Sequence, residues 1–352
     1  MIILVTGAAG FIGSNFVYHY LAAHPEDSII GLDALTYAGN LENLEELSEE
    51  TRSRFIFVKG DITDSDTIQS LFSRWSIQGI IHFAAESHVD RSIHDPAIFL
   101  KTNILGTHTL LDAAKRTWYE NGRWKEGVRF LQVSTDEVYG SLGPEGFFTE
   151  TTPLDPHSPY SASKAGSDLI VKAYHDTYGM PTVITRCSNN YGPYQFPEKL
   201  IPLIITRALT HQTLPVYGDG RQVRDWLFVE DHCRAIDLVF REGRDGQVYN
   251  IGGSNELENI CIVQTVIALL QKKTGDQEIH EGLITHVTDR LGHDRRYAIE
   301  ASKIRDELGW VPLTSFDEGI SCTIDWYLSN QDWTKRVISG EYQEFYRKNY
   351  HQ

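Results

Sequence analysis

The chain has 352 residues, 41% of them hydrophobic and 23% charged, with a formal net charge of −16 at pH 7. That length exceeds the ~250–300 residues at which a single core stops growing, so two lobes are expected. The acidic balance excludes a general nucleic-acid binder, although local Arg and Lys can still hold a phosphorylated substrate.

Met1-Ile-Ile-Leu-Val5 enters a strand with no basic segment before it, so no signal peptide is expected. No apolar run approaches the ~20 residues of a membrane span, and no membrane partner is expected. Ile2 to Thr6, Ser28 to Asp33, Phe55 to Lys59, Gly79 to Phe83, Arg129 to Ser134, Thr182 to Arg186 and Val248 to Ile251 are short, β-branched and apolar. Such runs predict parallel strands covered on both faces. Helical stretches lie between them, among them Phe11 to Ala23 and Ile98 to Trp118. The alternation predicts an α/β fold, a Rossmann-type doubly wound parallel sheet. Beyond residue 190, Pro193, Pro197, Pro202, Pro215 and Gly218-Asp-Gly220 break the pattern. We assign 1–190, with 226–254 returning to it, to the dinucleotide-binding domain. Residues 191–225 and 255–352 form a smaller, mainly helical substrate lobe. Cys187, Cys233, Cys261 and Cys322 are widely separated and form no CxxC. That gives no metal or redox motif and fits a reducing, cytoplasmic setting.

Thr6-Gly7-Ala-Ala-Gly10-Phe-Ile-Gly13 follows a strand and opens a helix. Its glycines let the turn be tight and let the backbone approach a pyrophosphate, which the helix N-terminus then holds. Asp33 ends the second strand 20 residues after Gly13, where a carboxylate can accept from the adenosine ribose hydroxyls. It would repel a 2′-phosphate, so the expected cofactor is NAD rather than NADP. Asp61-Ile62 can contact adenine, though Asp61 serves equally well as a helix cap. Ala84-Ala85 leaves room for the cofactor.

Ser158-Pro159 is a helix start, and Tyr160 and Lys164 then fall on one helix face. A nearby ammonium and a positive nicotinamide favour the phenolate of Tyr160, which makes it a base toward a sugar hydroxyl. YxxxK alone is common by chance; downstream of the glycine turn, and after Ser134, it carries weight. Asp136 and Glu137 follow Ser134-Thr135 at the carboxyl edge of the fifth strand, where open α/β sheets bind ligands. Neighbours in a regular strand point to opposite faces, so both acids can face one sugar only if the chain bends there, which Gly140 and Gly143 permit. Two acids in unlike surroundings can divide into an acid and a base. A solvated acidic loop is the bland alternative.

These motifs resemble those of the extended short-chain dehydrogenase/reductases, and among them the sugar-nucleotide 4,6-dehydratases that act on dTDP-glucose. Further matching stretches are His82-Phe-Ala-Ala-Glu-Ser-His-Val-Asp-Arg91, Asn189-Asn-Tyr-Gly-Pro-Tyr194, Pro197-Glu-Lys-Leu200, Pro215-Val-Tyr217, Gly220-Arg-Gln-Val-Arg-Asp225 and Asp289-Arg-Leu-Gly-His293. The resemblance implies an NAD-dependent lyase. Tyr160 with Lys164 takes the 4-hydroxyl proton, Glu137 takes the C5 proton, Asp136 protonates the departing 6-hydroxyl, and Thr135 bonds the 4-oxygen. It also implies cofactor contacts at Phe11, Ile12, Leu35, Thr36, Phe83, Ser87, Thr102, Ser134 and Asn190. The hexose would meet Ser87 and Asn189. The nucleotide-sugar contacts would be Lys199, Leu200, Pro215, Tyr217, Arg224, Asn259, Asp289, Arg290 and His293, with Arg224 and Arg290 as forks on the diphosphate. A homodimer is implied through the helices that begin near Ile98 and Tyr160. Two rival readings are a 4-epimerase or a dehydratase of another nucleotide sugar, and a non-enzymatic NAD-sensing module. The epimerase has no need of both acids, a dehydratase of another nucleotide is set apart only by the resemblance around Lys199 and Tyr217, and the sensing module has no need of Tyr160, Lys164 or the acid pair.

Overall fold

A computed structural model describes residues 1–289 and 292–338. Its centre is a seven-stranded parallel sheet. Across the sheet run Val248–Ile251, Thr182–Cys187, Arg129–Thr135, Gly79–His82, Ile2–Thr6, Ser28–Asp33 and Phe55–Lys59. The order reverses between the strands Ile2–Thr6 and Gly79–His82, which makes their carboxyl ends the natural ligand crevice. Each predicted strand is present, with ends shifted by at most one residue. One apolar core beneath the sheet holds Ile3, Phe16, Leu131 and Ile236; the other holds Leu4, Ile80, Leu111 and Phe130. Burial on both faces is why these strands read as continuous apolar runs.

The helical stretch foreseen from Ile98 to Trp118 is longer and less regular. Pro96–Phe99 and Thr107–Trp118 are α-helical, and Leu100–Gly106 between them is a wider π-type turn. The widening carries buried Asn103 to the Glu86 N–H at 2.9 Å, the Glu86 carbonyl at 3.0 Å and Ser163 Oγ at 2.8 Å. Such turns often sit at functional sites, and this one ties the loop after the fourth strand to the helix Pro159–Tyr178.

A second core, with Tyr191, Ile204, Val216, Trp226, Ile262 and Ile320, belongs to a smaller lobe. Two small sheets cross it: Asn189–Tyr191 with Val223–Phe228 and Glu256–Glu258, and Leu214–Tyr217 with Ile284–Val287. The sequence assigns 255–352 to this lobe, but Ile304 and Trp310 lie in the core beneath the main sheet. The helix Ser302–Leu308 packs there because its apolar side chains meet the strand Val248–Ile251 and the helix Val229–Glu242. Among the described residues no helix is long and apolar enough to cross a membrane.

Candidate active site

The carboxyl ends of the strands open into a cleft of about 370 Å³. Its floor is the glycine turn. Gly7 has φ +70°, and a Cβ there would lie 2.7 Å from the Ala84 backbone nitrogen. A Cβ on Gly13 would lie 2.1 Å from the Gly7 carbonyl oxygen, so the helix can pack this close only on glycine. Gly10 precedes the helix without a side-chain cap, leaving its first N–H groups for an anion. Phe11, Ile12, Thr36, Asp61, Ile62, Phe83, Ala84, Ala85, Ser87, Thr102, Ser134 and Asn190 all line the same cleft. A dinucleotide therefore fits: glycine floor, open helix terminus, and a carboxylate at the far end.

Asp33 supplies that carboxylate, and it is already engaged. It accepts the Ala9 N–H at 3.0 Å and the Leu35 N–H at 2.8 Å, and burial pushes its pKa up. Leu35, expected to touch the cofactor, is not among the residues lining the cleft. Its backbone turns over at φ +55° to reach Asp33, and its side chain packs against the core beneath the sheet.

The catalytic candidates converge on the opposite wall. Thr135, Asp136, Glu137, Tyr160 and Lys164 line the cleft together. The chain leaves extended geometry at Asp136 itself, in a 3-10 turn from Asp136 to Tyr139 whose cap is Thr135. Gly140 ends the turn at φ +86°, where a Cβ would lie 2.4 Å from the Asp155 carbonyl oxygen. Gly143, expected to help, has open space around it and an ordinary φ. The turn gives the acids unlike surroundings. Asp136 is 1% exposed, and burial together with the Glu137 charge raises its pKa well above the usual carboxylate range. Glu137 is only half-buried.

Tyr160 departs from expectation. Burial, then the Glu137 charge, hold its pKa well above 10, while the Thr135 hydroxyl beside it works in the other direction. Lys164 instead donates to the Val133 carbonyl at 2.8 Å. Burial lowers the Lys164 pKa, and the Asp168 charge one turn along opposes that. Asp168 in turn accepts from Ser134 Oγ at 3.0 Å and Arg186 Nε at 2.9 Å, tying the helix to two strand ends.

The nucleotide-sugar candidates divide. Ser87, Thr135, Asn189 and Lys199 line the cleft, and Lys199 Nζ donates to the Ser87 carbonyl at 3.1 Å. Leu200, Pro215, Tyr217, Arg224, Asn259, Asp289 and His293 lie outside its wall, on the smaller lobe. Tyr217 donates to Asp90 at 3.0 Å and meets the His293 ring edge-on, and His293 Nδ1 lies 2.5 Å from Asp289. Arg224 is 4% exposed, stacks on Tyr297 and donates to the carbonyls of Val223 and Asp294. Its positive charge opposes the rise in the Asp136 pKa. Arg290 lies outside the described residues.

Several lining residues were not foreseen, among them Glu86, Cys187, Ser188, Gln195 and Glu198. Glu198 stands inside the matching stretch Pro197 to Leu200, and that was its only signal. It lies 3.5 Å from Arg91 and 3.7 Å from His88, and burial pushes its pKa up to about 7.

Among known proteins, the family described as GDP-mannose 4,6 dehydratase matches residues 4–323. A Xanthomonas campestris pv. campestris protein named dTDP-glucose 4,6-dehydratase is 55% identical over 342 residues, covering 96% of either chain. A solved dTDP-glucose 4,6-dehydratase from Streptomyces venezuelae, with NAD bound, superposes with a TM-score of 0.87 at 47% identity, covering 96% of this chain and 100% of that one. Another, from Bacillus anthracis in complex with NAD, gives 0.85 at 48% identity, covering 96% and 99%.

Proposed function

The chain belongs to the GDP-mannose 4,6-dehydratase family, and from that membership together with the cleft we infer the role of each catalytic side chain. The enzyme is an NAD-dependent hydro-lyase that converts dTDP-glucose to dTDP-4-keto-6-deoxyglucose and water. NAD accepts hydride from C4 and returns it to C6. Tyr160 takes the 4-hydroxyl proton once its phenolate is favoured by the positive nicotinamide, because the protein groups alone hold it protonated. Lys164, anchored on Val133, supplies the nearby positive charge. Thr135 holds the 4-oxygen, Ser87 and Asn189 the hexose. The 4-ketone acidifies C5, Glu137 removes that proton, and Asp136 delivers its own to the departing 6-hydroxyl.

One observation carries this division of labour. Asp136 is buried, and burial and the Glu137 charge favour its protonated form, beside an acid that is only half-buried. We place the thymidine diphosphate against Lys199, Pro215, Tyr217, Asn259 and His293, with Asp289 orienting His293. Arg224 acts there on Asp136. The lobe division, the cytoplasmic setting and the supply of a deoxysugar such as rhamnose belong to the same reading. A homodimer does too: Leu105 and Leu169, each 57% exposed, present apolar surface on the two helices expected to pair.

The deciding experiment incubates the enzyme with dTDP-glucose and UDP-glucose in parallel. Loss of water by mass and a 4-keto chromophore in alkali are expected with dTDP-glucose. A mass-neutral product would make it an epimerase, and equal rates on both substrates would remove the base preference.

A further inference from the structure

Behind the catalytic wall lies a second cavity of about 330 Å³, lined by Asp225, Gly252, Glu300 and Trp310 and rimmed by the exposed Phe147 and Val311. Strand register brings it next to the acid. Thr135 pairs with Cys187, and Trp226 pairs with Asn189. One residue beyond each of these pairs, Ser188 stands between Asp136 and Asp225 in register, with Asp136 at the point where its strand gives way to the 3-10 turn. Asp136 and Ser188 line the catalytic cleft, and Asp225 lines the cavity. All three are buried, at 1%, 3% and 1% exposure.

The polar valences along this row are incomplete. Among the described residues, Asp136 Oδ2 and Trp310 Nε1 are buried and complete no hydrogen bond, while the Ser188 hydroxyl is directed at the Asp225 carboxylate. Asp225 accepts the Gly253 N–H at 2.8 Å and the Asn255 N–H at 2.6 Å. Anchoring that turn is its bland role, and it accounts for Asp225. It does not account for the unsatisfied Trp310 indole at the same cavity, a feature of sites that water enters. The charges meet as well: burial raises the Asp225 pKa, the Ser188 hydroxyl works against that rise, and the Asp225 charge favours the proton on Asp136.

Turnover creates a need for such a route. Each dehydration removes the proton of Asp136, which substrate in the front cleft then shields from solvent. Resting on the dehydratase reading, we propose that Ser188 and Asp225 form a rear proton path that reloads Asp136 from the second cavity. As the C6–O bond breaks, its electron pair leaves on oxygen and the Asp136 proton completes a water molecule. Ser188 then gives its hydroxyl proton to the Asp136 carboxylate and takes one from solvent held at Asp225, whose carboxylate steadies the incoming positive charge. Of the protons held by Tyr160 and Glu137, one returns to C5 and the other leaves to solvent. One proton enters, one leaves, and no electrons are exchanged with the outside.

Ser188→Ala removes the relay hydroxyl at little steric cost. In rapid-quench experiments with dTDP-glucose its first turnover should match the wild type, because reloading of Asp136 is needed only after the first water has left. The steady-state rate should fall about tenfold, the scale of a lost proton-transfer group, with a larger solvent deuterium isotope effect than the wild type. Ser302→Trp, at the cavity and away from the cleft, should show the same split. A steady state unchanged in either variant would overturn the path. So would a first turnover that falls together with the steady state, since that marks a merely structural role. Absence of dehydration in the wild type would instead sink the dehydratase reading.

Discussion

Asp136 and Glu137 hang on one hydroxyl: Thr135 Oγ1 donates to Asp136 Oδ1 at 3.2 Å and accepts the Glu137 N–H at 3.3 Å. The hydroxyl fixes the point at which the strand ends and the two acids part. One enters the protein, where burial favours its protonated form; the other stays half-buried at the edge of the cleft.

Asp136→Asn should therefore stop water loss and leave the hydride step intact, since Tyr160 and Lys164 are untouched. An amide cannot protonate a leaving hydroxyl. Absorbance of reduced nicotinamide should persist in a single turnover. Glu137→Gln should do the same and suppress solvent deuterium uptake at C5. Dehydration at wild-type rate by Asp136→Asn, or free C5 exchange by Glu137→Gln, would show these acids to be incidental.

The pH profile should follow from the same geometry. Asp136 must be protonated to act, and its pKa is raised by burial and by Glu137. Activity should fall as pH rises through that elevated value, at a pH above the ordinary carboxylate range. A rate that climbs steadily into alkali, with no falling limb, would assign the acid elsewhere.

Tyr160→Phe keeps the buried ring and deletes the base. Turnover should drop by roughly 10²–10⁴ with the fold unchanged, checked by kinetics alongside thermal unfolding. Near-normal turnover would remove Tyr160 from the mechanism.

Asp33→Ala should weaken NAD binding by about 1.5–3 kcal/mol and relax discrimination against NADP. Part of the loss would come from the turn itself, because Asp33 also holds Ala9 and Leu35. Calorimetry on stripped protein measures it; unchanged NAD affinity would count against the assignment.

Glu198 offers a stability test. Its pKa is raised from 4.5 to about 7, chiefly by burial. The folded protein therefore binds this proton more tightly than the unfolded chain. The contribution is full below pH 4.5 and is lost as pH rises through about 7, a loss on the order of 3 kcal/mol. Glu198→Gln should flatten that decline in denaturant titrations at pH 5 and 8. An unaltered slope would place the titrating charge elsewhere.

The sequence by itself determined the sheet, its covered faces and the glycine turn, and it supplied the candidates for the reacting side chains. Apolar runs, turn glycines and fixed spacings are local properties, and Tyr160 and Lys164 need only one helix turn to share a face. Tertiary structure decided what those groups experience. Burial depth, and hence the proton on Asp136, depends on how strands far apart in sequence pack around it. Lys164 found the Val133 carbonyl, and Arg224 the carbonyls of Val223 and Asp294, because each side chain settles on the nearest acceptor in three dimensions. Asn103 and Ser188 carried no signal of their own, and Asp225 carried only its place in the matching stretch Gly220 to Asp225. A widened helix turn places the first, and strand register sets the other two beside Asp136, by relations between segments that no single stretch of sequence contains.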